Sequence, residues 1–309
     1  MGERTAIEWT DATWNPIRAR HRKTRATGWY CQRVSPGCKN CYAAAINVWR
    51  GNSMDYAADR LADVELFLDE KTLMAPLKWR EPRMVFVCSM TDLFAPFVPI
   101  TWIGRIFGLM AEASRHTFQI LTKRPENLSA WSSGVMHYPG GDRTQRPVMG
   151  WPPNVWLGVS VENEEMAKRR IPRLLQIRAA VRFVSYEPAL GPGNFAPYLP
   201  DYHGSNRTRW IDWLICGGES GSGARPMHPD WARSARDQCT SAGVPFFFKQ
   251  WGKWVPEPAE YRERVEMRRA RGFRIHTFED QEQVWRIGRK AAGRLLDGRE
   301  WNEYPPQAR

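Results

Sequence analysis

Short, almost continuous apolar runs recur along this chain, and they limit its fold more than any other feature. They begin about 27 to 38 residues apart and span 84–89, 117–122, 155–160, 182–186, 211–216 and 244–249. A run without polar alternation is typical of a strand buried on both faces in a parallel sheet. Segments with helical spacing lie between the runs. With a further strand at 12–15, the pattern predicts a full or partial TIM-like β/α barrel of about six to seven βα units.

Polar residues follow these runs, at the point where each predicted strand ends. The carboxyl ends of parallel strands meet on one rim of a barrel, where such folds place their chemistry. For any single one of these residues, a helix N-cap or an ordinary turn is the alternative interpretation. The series as a whole predicts a site at the rim from Ser89, Asp92, Lys123, Ser160, Glu162, Glu187, Gly217, Gly218, Glu219 and Lys249.

Three of the six cysteines are clustered in a turn-rich segment after the first predicted strand. Cys31, Cys38 and Cys41 are separated by six and by two residues, which lets three thiolates meet at one metal centre. Structural zinc needs a fourth ligand, and no matching second pair of Cys or His follows. A cubane iron-sulfur cluster held by three cysteines keeps one iron open for a small molecule. Iron-sulfur, zinc and a purely structural cluster all remain open at this point.

The other three cysteines have a different setting. Cys88 and Cys216 lie in apolar runs and Cys239 lies on a helix-like segment, so we expect them to be small buried hydrophobic residues.

The charge of the chain points to a polyanion as partner. It has 45 Lys and Arg against 33 Asp and Glu, a net charge of +12. The run Arg18 to Arg25 lacks apolar periodicity and predicts an exposed loop that either contacts phosphates or is merely solvated. No apolar stretch reaches the length of a membrane helix and the start of the chain lacks a signal core, so we expect a cytoplasmic protein without membrane contact.

The last part of the chain is rich in charged residues of both signs. Residues 256–309 carry twelve basic and ten acidic side chains. We expect residues 1–254 to form the barrel with the cysteine loop at 31–41, and residues 255–309 to form a charged, helical extension that packs on it.

Long motifs also resemble those of a known family. On TAIEWTDATWNP, SPGCKNCYA, SMTDLF, VWLGVSVEN and IDWLICGGESGSGARPMHPDW, the chain resembles a phage and prophage family of three-cysteine proteins that is similar to the radical S-adenosylmethionine (SAM) superfamily. The resemblance extends from about Thr5 to Gly298.

The resemblance implies that Cys31, Cys38 and Cys41 ligate a [4Fe-4S] cluster whose open iron binds SAM, which is then cleaved to a 5′-deoxyadenosyl radical. It implies an electron donor of the flavodoxin or ferredoxin type. By position it implies roles for other rim residues as follows. Ser89 and Asp92 would bind the SAM amino group, Ser160 and Glu162 the ribose, and Tyr42 would contact the cofactor after the last cysteine. Gly217, Gly218 and Glu219 would lie at the SAM carboxylate or on the substrate side, or form a tight turn without a ligand. Glu187, Lys123 and Lys249 would lie on the substrate side.

Two functions of different classes follow. The first is a radical SAM enzyme that modifies a nucleic-acid base or a nucleotide by hydrogen abstraction. The second is a non-catalytic nucleic-acid-binding protein whose cysteines hold zinc or a structural iron-sulfur cluster. The metal content separates them.

Overall fold

Seven strands form one parallel sheet, in the order β1-β5-β6-β7-β8-β9-β10. The computed structural model describes residues 5–50, 54–128, 151–200, 210–256 and 274–306. The sheet strands are β1 (Ala12–Trp14), β5 (Met84–Val87), β6 (Thr117–Thr122), β7 (Val155–Ser160), β8 (Arg182–Tyr186), β9 (Trp213–Gly217) and β10 (Phe246–Gln250). Each predicted run overlaps one of these strands, with the ends of β9 and β10 lying one residue beyond their runs, so the expected parallel β/α architecture is confirmed.

The sheet is curled into a half-barrel, and its inner face shows the curvature. Trp9 lies just before β1, with its ring centroid 4.8 Å from that of Phe86 and 6.2 Å from that of Phe183. Phe86 and Phe183 lie on the second and fifth strands of the sheet, which would be about 14 Å apart if the sheet were flat. One indole contacts both rings because the inner face is concave. The fold is therefore a partial β/α barrel.

Helices cover the outer face of the sheet. Along β7 to β10 the outward residues join a large core with the apolar faces of these helices, and the inward residues form a smaller aromatic cluster. The described α-helices are α1 (Tyr42–Trp49), α2 (Glu70–Leu73), α3 (Ile100–Glu112), α4 (Glu164–Leu174), α5 (Pro229–Ser241) and α6 (Arg289–Ala292). Short 3-10 helices span Pro36–Cys38, Ala58–Asp63, Ala75–Lys78, Pro125–Leu128 and Ala196–Tyr198. No helix among the described residues is long and apolar enough to cross a membrane.

The basic segment is a β-hairpin, so the prediction of an exposed loop over Arg18 to Arg25 was wrong. Strands β2 (Ile17–His21), β3 (Thr27–Gly28) and β4 (Val64–Leu68) form a small antiparallel sheet. The alternate apolar positions of β2 are buried, and its arginines lie over aromatic rings: Arg18 over Trp29 at 4.5 Å and Arg20 over Phe67 at 4.9 Å. The tip of the hairpin, residues 22–25, is exposed, as is Thr27 on β3.

The described part of the predicted helical extension contains more strand than helix. Strands β11 (Trp254–Pro256), β12 (Ile275–Thr277) and β13 (Gln283–Arg286) form an antiparallel sheet, and α6 is one turn long. Residues 257–273 of the charged run lie outside the described ranges.

The end of the chain then runs along the open edge of the half-barrel. Asn302 pairs with Phe247, Phe248 N donates to Trp301 O at 2.9 Å, and Glu303 N donates to Phe246 O at 3.3 Å. These bonds lie along the edge of β10 that does not pair with β9.

Candidate active site

The segment that carries the three cysteines crosses the carboxyl rim of the half-barrel. It runs from Trp29 to Cys41, between β3 and α1, and we call it the cysteine loop. At its start, Thr91 Oγ1 donates to Tyr30 O at 2.9 Å, which ties the loop to the turn after β5. Beyond that point, three rim carboxylates, each paired with a cation of its own, hold successive parts of the loop. We call each carboxylate with its cation a clamp.

The first clamp is Asp92 with Arg124. Arg124 Nη1 lies 3.2 Å from Asp92 Oδ2, and Arg124 Nη2 donates to Gln32 O of the cysteine loop at 3.0 Å. Asp92 also accepts from Phe94 N, Thr122 Oγ1 and Lys123 N. A carboxylate has about four acceptor positions, so the chain's own donors fill those of Asp92.

The second clamp is Glu162, whose side chain is completely buried, with two cations. Lys123 Nζ lies 2.8 Å from Oε1, and Arg170 Nη1 lies 2.8 Å from Oε2. Ser35 of the cysteine loop donates to Oε1 at 2.5 Å. The loop passes so close that a Cβ at Gly37 would lie 2.5 Å from the same oxygen. Only glycine fits at position 37 without displacing Glu162.

The third clamp is Glu219, which accepts from Arg225 through the backbone N at 2.8 Å and through Nε at 3.0 Å. Asn40 Nδ2 donates to Glu219 Oε2 at 2.9 Å and to Gly223 O at 2.7 Å, and Arg225 Nη2 donates to Pro36 O at 2.9 Å. This clamp therefore holds both the 3-10 turn and the end of the cysteine loop.

Both glutamate clamps are held in the charged form. Burial alone would raise the pKa of Glu162, but Lys123 and Arg170 lower it below the usual 4.5 of a glutamate. Burial opposes the charged form of Glu219 as well, and hydrogen bonds from Arg225 and Asn40 lower its pKa below the same value. The two pairs are therefore ionised at neutral pH.

The three thiols of the cysteine loop are free and partly buried. Cys31 and Cys41 pack against the same apolar cluster, which includes Trp29 and Tyr56, while Cys38 Sγ lies 3.9 Å from Ser35 Oγ. Burial, reinforced by Asp92, raises the pKa of Cys31 to about 12, so this sulfur is protonated unless a metal displaces the proton. Among the described residues, no group of three or more His, Cys, Asp or Glu side chains is close enough to hold a metal ion.

The predicted substrate-side residues Glu187 and Lys249 form an ion pair at the ends of β8 and β10. Lys249 Nζ lies 3.0 Å from Glu187 Oε1, and Ser185 Oγ lies 3.5 Å from Oε2. Their side chains retain exposures of 15% and 18%, and Lys123 retains 20%, whereas Glu162 retains none. These groups are the more accessible charges of the predicted rim set.

The remaining predicted rim residues contact the protein itself. Ser89 Oγ exchanges hydrogen bonds with the Asn15 amide, while Tyr42 OH donates to Ser89 O at 2.7 Å. Ser160 is buried, and its carbonyl accepts from Arg170. A Cβ at Gly218 would collide with the backbone at Trp251 O, and one at Gly217 would lie 2.7 Å from Glu187 Oε1, which would have to move. The two glycines let neighbouring chain segments approach closely.

Sequence reasoning missed the partners of these carboxylates. Ser35, Arg170 and Arg225 were not predicted as site residues, although Arg225 follows Glu219 by six positions in the glycine-rich turn. The only signal for Arg170 is that an arginine occupies the apolar face of α4, where it is buried beside Met166 and Ala167. Buried arginines are rare unless paired, so this position calls for a carboxylate partner.

The fold and rim together define a class: a partial β/α barrel with a clamped three-cysteine loop over the carboxyl ends of its strands. Within that class, the chain belongs to the DUF5131 family, described as a protein of unknown function, whose family model matches residues 4–305. No curated protein matches the chain.

Among solved structures, a mutant of spore photoproduct lyase is similar at 8% sequence identity, over 85% of this chain and 74% of that chain. The TM-score of 0.33 is too low for this similarity to support a conclusion.

Proposed function

We propose that this protein is a radical SAM enzyme that modifies a nucleic-acid base or a nucleotide. The observation that supports the proposal is the position of the cysteine loop. Three thiols lie on a segment that the Asp92, Glu162 and Glu219 clamps hold against the carboxyl rim, where β/α barrels place their chemistry. The sequence resemblance to the radical SAM superfamily supports the same assignment.

The donor set fits an iron-sulfur cluster in its chemistry. Three cysteine thiols on one loop are soft ligands suited to iron-sulfur clusters, and a fourth cysteine is not needed where one iron binds a small molecule. Cys31, Cys38 and Cys41 would hold the cluster. The bound cluster would supply the electron that cleaves SAM, delivered by a flavodoxin-like or ferredoxin-like donor.

The rim residues then divide into three groups. Glu187, Lys249 and Lys123 are accessible and charged, and we assign them to substrate binding and proton transfer beside the reacting centre. Ser89, Ser160, Tyr42, Gly217 and Gly218 remain our proposed SAM contacts. Asp92, Glu162 and Glu219 already hold the cysteine loop, so a SAM or substrate contact there would have to replace one of the bonds that they make to the chain.

The decisive test is the metal content after anaerobic reconstitution with iron and sulfide. We expect about four iron and four sulfide per chain, from the stoichiometry of the cluster type. Replacing Cys31, Cys38 or Cys41 by Ala should abolish iron binding and the cleavage of SAM to 5′-deoxyadenosine. The matched controls Cys88→Ala, Cys216→Ala and Cys239→Ala should keep both. Stoichiometric zinc in place of iron, or iron loss in a folded control variant, would refute the proposal.

A second measurement asks whether Asp92 binds SAM or only holds the loop. The Asp92→Asn variant keeps the size of the side chain and removes its charge. Weaker SAM binding by calorimetry, with iron content unchanged, would support a direct contact worth about 1.5 to 3 kcal/mol. Loss of iron together with SAM binding would show that Asp92 acts through the loop.

A further inference from the structure

Helix α1 presents an apolar face to solvent directly after the cysteine loop. Among the described residues, eight large apolar side chains are exposed, and four of them lie within residues 34–49: Val34, Tyr42, Val48 and Trp49. Trp49 is 83% exposed and Val48 is 68% exposed, the two highest values of the eight. Exposed large apolar side chains that are concentrated in one short segment are typical of a binding surface.

A buried amide fixes the orientation of α1 and therefore determines which of its faces is exposed. Asn47 accepts from Trp29 N at 3.2 Å and donates to Trp29 O at 2.6 Å. Ala43, one turn earlier, is buried on the same side. Because Asn47 and Ala43 define the inner face, the helix cannot rotate to bury Val48 and Trp49 without breaking two buried hydrogen bonds.

An open cleft of about 530 Å³ lies beside this face, a volume within the usual range for small-ligand sites. One wall is formed by the cysteine loop and α1, including Cys41, Tyr42 and Val48, and the other by Gly221 to Gly223. A group bound in the cleft would therefore lie next to one of the three thiols of the loop.

The charge around the cleft is positive. Residues 31–50 contain three basic side chains, Arg33, Lys39 and Arg50, and no acidic one. Arg33, Lys39 and Asp55 line the cleft, and Arg33 pairs with Asp55 at 2.8 Å, so the lining carries a net charge of +1. Across the cleft, Arg286 donates to Ser222 O of the glycine-rich wall. Anions are therefore favoured here.

We propose that this face binds a single-stranded nucleic acid, with an unpaired base stacked on Trp49 and its phosphates on Arg33, Lys39 and Arg50. Exposed aromatic rings interleaved with cations are the usual platform for unpaired bases, since every base has a face that stacks and the backbone carries the charge. The cleft has room for one nucleotide beside Cys41. This inference names the substrate class and rests on the proposed function only for its link to catalysis.

The basic hairpin offers a matched comparison. Its exposed tip carries Arg22, Lys23 and Arg25, the same number of cations, but no described exposed aromatic residue lies there. Both surfaces already use part of their charge within the protein: Arg25 pairs with Glu65 at 3.5 Å and Arg22 donates to Ala62 O at 3.1 Å, as Arg33 pairs with Asp55 at 2.8 Å. The exposed aromatic ring is therefore the difference between them. Non-specific attraction would involve both surfaces equally, whereas a stacking site involves only α1.

The test measures binding of fluorescein-labelled single-stranded oligonucleotides by anisotropy, on the full chain before and after cluster reconstitution. Trp49→Ala should weaken binding about tenfold and Trp49→Phe should restore most of it, from the value of base stacking on an aromatic ring. Leu295→Ala, at another exposed apolar residue, should bind like the parent. The single strand should bind more tightly than a duplex of the same length.

The salt dependence of binding separates the two basic surfaces. Replacing Arg33, Lys39 and Arg50 by Gln should reduce the log-log slope by about 2, at roughly 0.7 per phosphate on a single strand. Replacing Arg22, Lys23 and Arg25 by Gln should leave the slope near that of the parent. Equal losses in the two triple variants, or tighter binding of the duplex, would overturn the proposal.

Two other outcomes bear on the assignment. If Trp49→Ala leaves oligonucleotide affinity unchanged and instead slows cluster reduction by a flavodoxin, the face docks a protein and the inference is wrong. The binding readout needs no cluster, so failure of the proposed function would appear as missing iron with oligonucleotide binding intact. Failure of the inference would appear as a normal iron content without oligonucleotide binding at this face.

Discussion

The two ends of the half-barrel are stabilised by different kinds of contact. Near the amino ends of the strands, Trp9, Phe86, Phe183, Trp213 and Phe247 pack as rings with centroids 4.8 to 6.4 Å apart. We call this aromatic cluster the floor. At the carboxyl rim, buried ion pairs and hydrogen bonds hold the cysteine loop, beside a small apolar cluster against which Cys31 and Cys41 pack. Apolar packing is non-directional and stabilises the whole sheet, whereas each clamp holds one loop segment in one position.

The largest expected effect lies at the floor. Trp213 is fully buried and contacts the rings of Trp9, Trp156 and Tyr304. Trp213→Ala should lower the free energy of unfolding by about 4 kcal/mol, because it removes a large buried side chain and leaves a cavity. Urea denaturation measures this change. Trp49→Ala, at an exposed tryptophan, is the control and should change stability by less than about 0.5 kcal/mol.

The next effect lies at the rim. Glu162→Ala removes the partner of Arg170, whose side chain is 2% exposed, and should cost about 3 kcal/mol because a buried charge is left unpaired. Unlike the change at the floor, it should also speed hydrogen exchange in residues 33–40, beyond the increase expected from global destabilisation. Mass spectrometry of that peptide checks the result.

An exposed ion pair gives the control for this variant. Glu65 lies 3.5 Å from Arg25 and 3.8 Å from Arg20, and its side chain is 44% exposed. Glu65→Gln should change stability by at most about 1 kcal/mol, since solvent screens such pairs. Equal losses of unfolding free energy in Glu65→Gln and Glu162→Ala would contradict the prediction that the buried ion pairs of Glu162 stabilise the fold more than an exposed pair does.

The smallest expected effect is a dependence on pH that the floor lacks. A carboxyl group with a lowered pKa in the folded state stabilises the fold above its unfolded pKa, and this contribution disappears as the pH falls through the folded value. The parent should therefore exceed Glu162→Gln in unfolding free energy by a constant amount at pH 5 to 7 and by less below pH 4.5, about the unfolded value. Urea titrations at each pH test this. A gap that widens on acidification would contradict the direction of the pKa shift.

The strands could be predicted from sequence, and the clamps could not. A strand buried on both faces needs a continuous apolar run, so the pattern at 155–160 coincides with β7, and the run at 182–186 with β8. A carboxylate at a strand end shows no such pattern. Its partner depends on which helix or neighbouring strand reaches it, as Arg170 and Lys123 reach Glu162.

Two local features also escaped prediction for physical reasons. The alternation of Ile17 and Ala19 is a strand signal, but the intervening arginines hide it, because their guanidinium groups lie over aromatic rings instead of in solvent. Strand β5 ends at Val87, before the end of its predicted run, because Cys88 lies in the left-handed region at φ 54°, which non-glycine residues rarely adopt. That turn directs the following residues, including Asp92, back over the rim.

The short pairing of residues 301–303 with β10 has a consequence for self-association. Strand β10 contains Phe246, Phe247 and Phe248 in a row, a sequence that pairs readily with strands of other molecules when its edge is open. The bonds from Phe248 to Trp301 and from Glu303 to Phe246 occupy that edge. A chain shortened to end before Trp301 would therefore aggregate through β10, even though its rim and cysteine loop were complete.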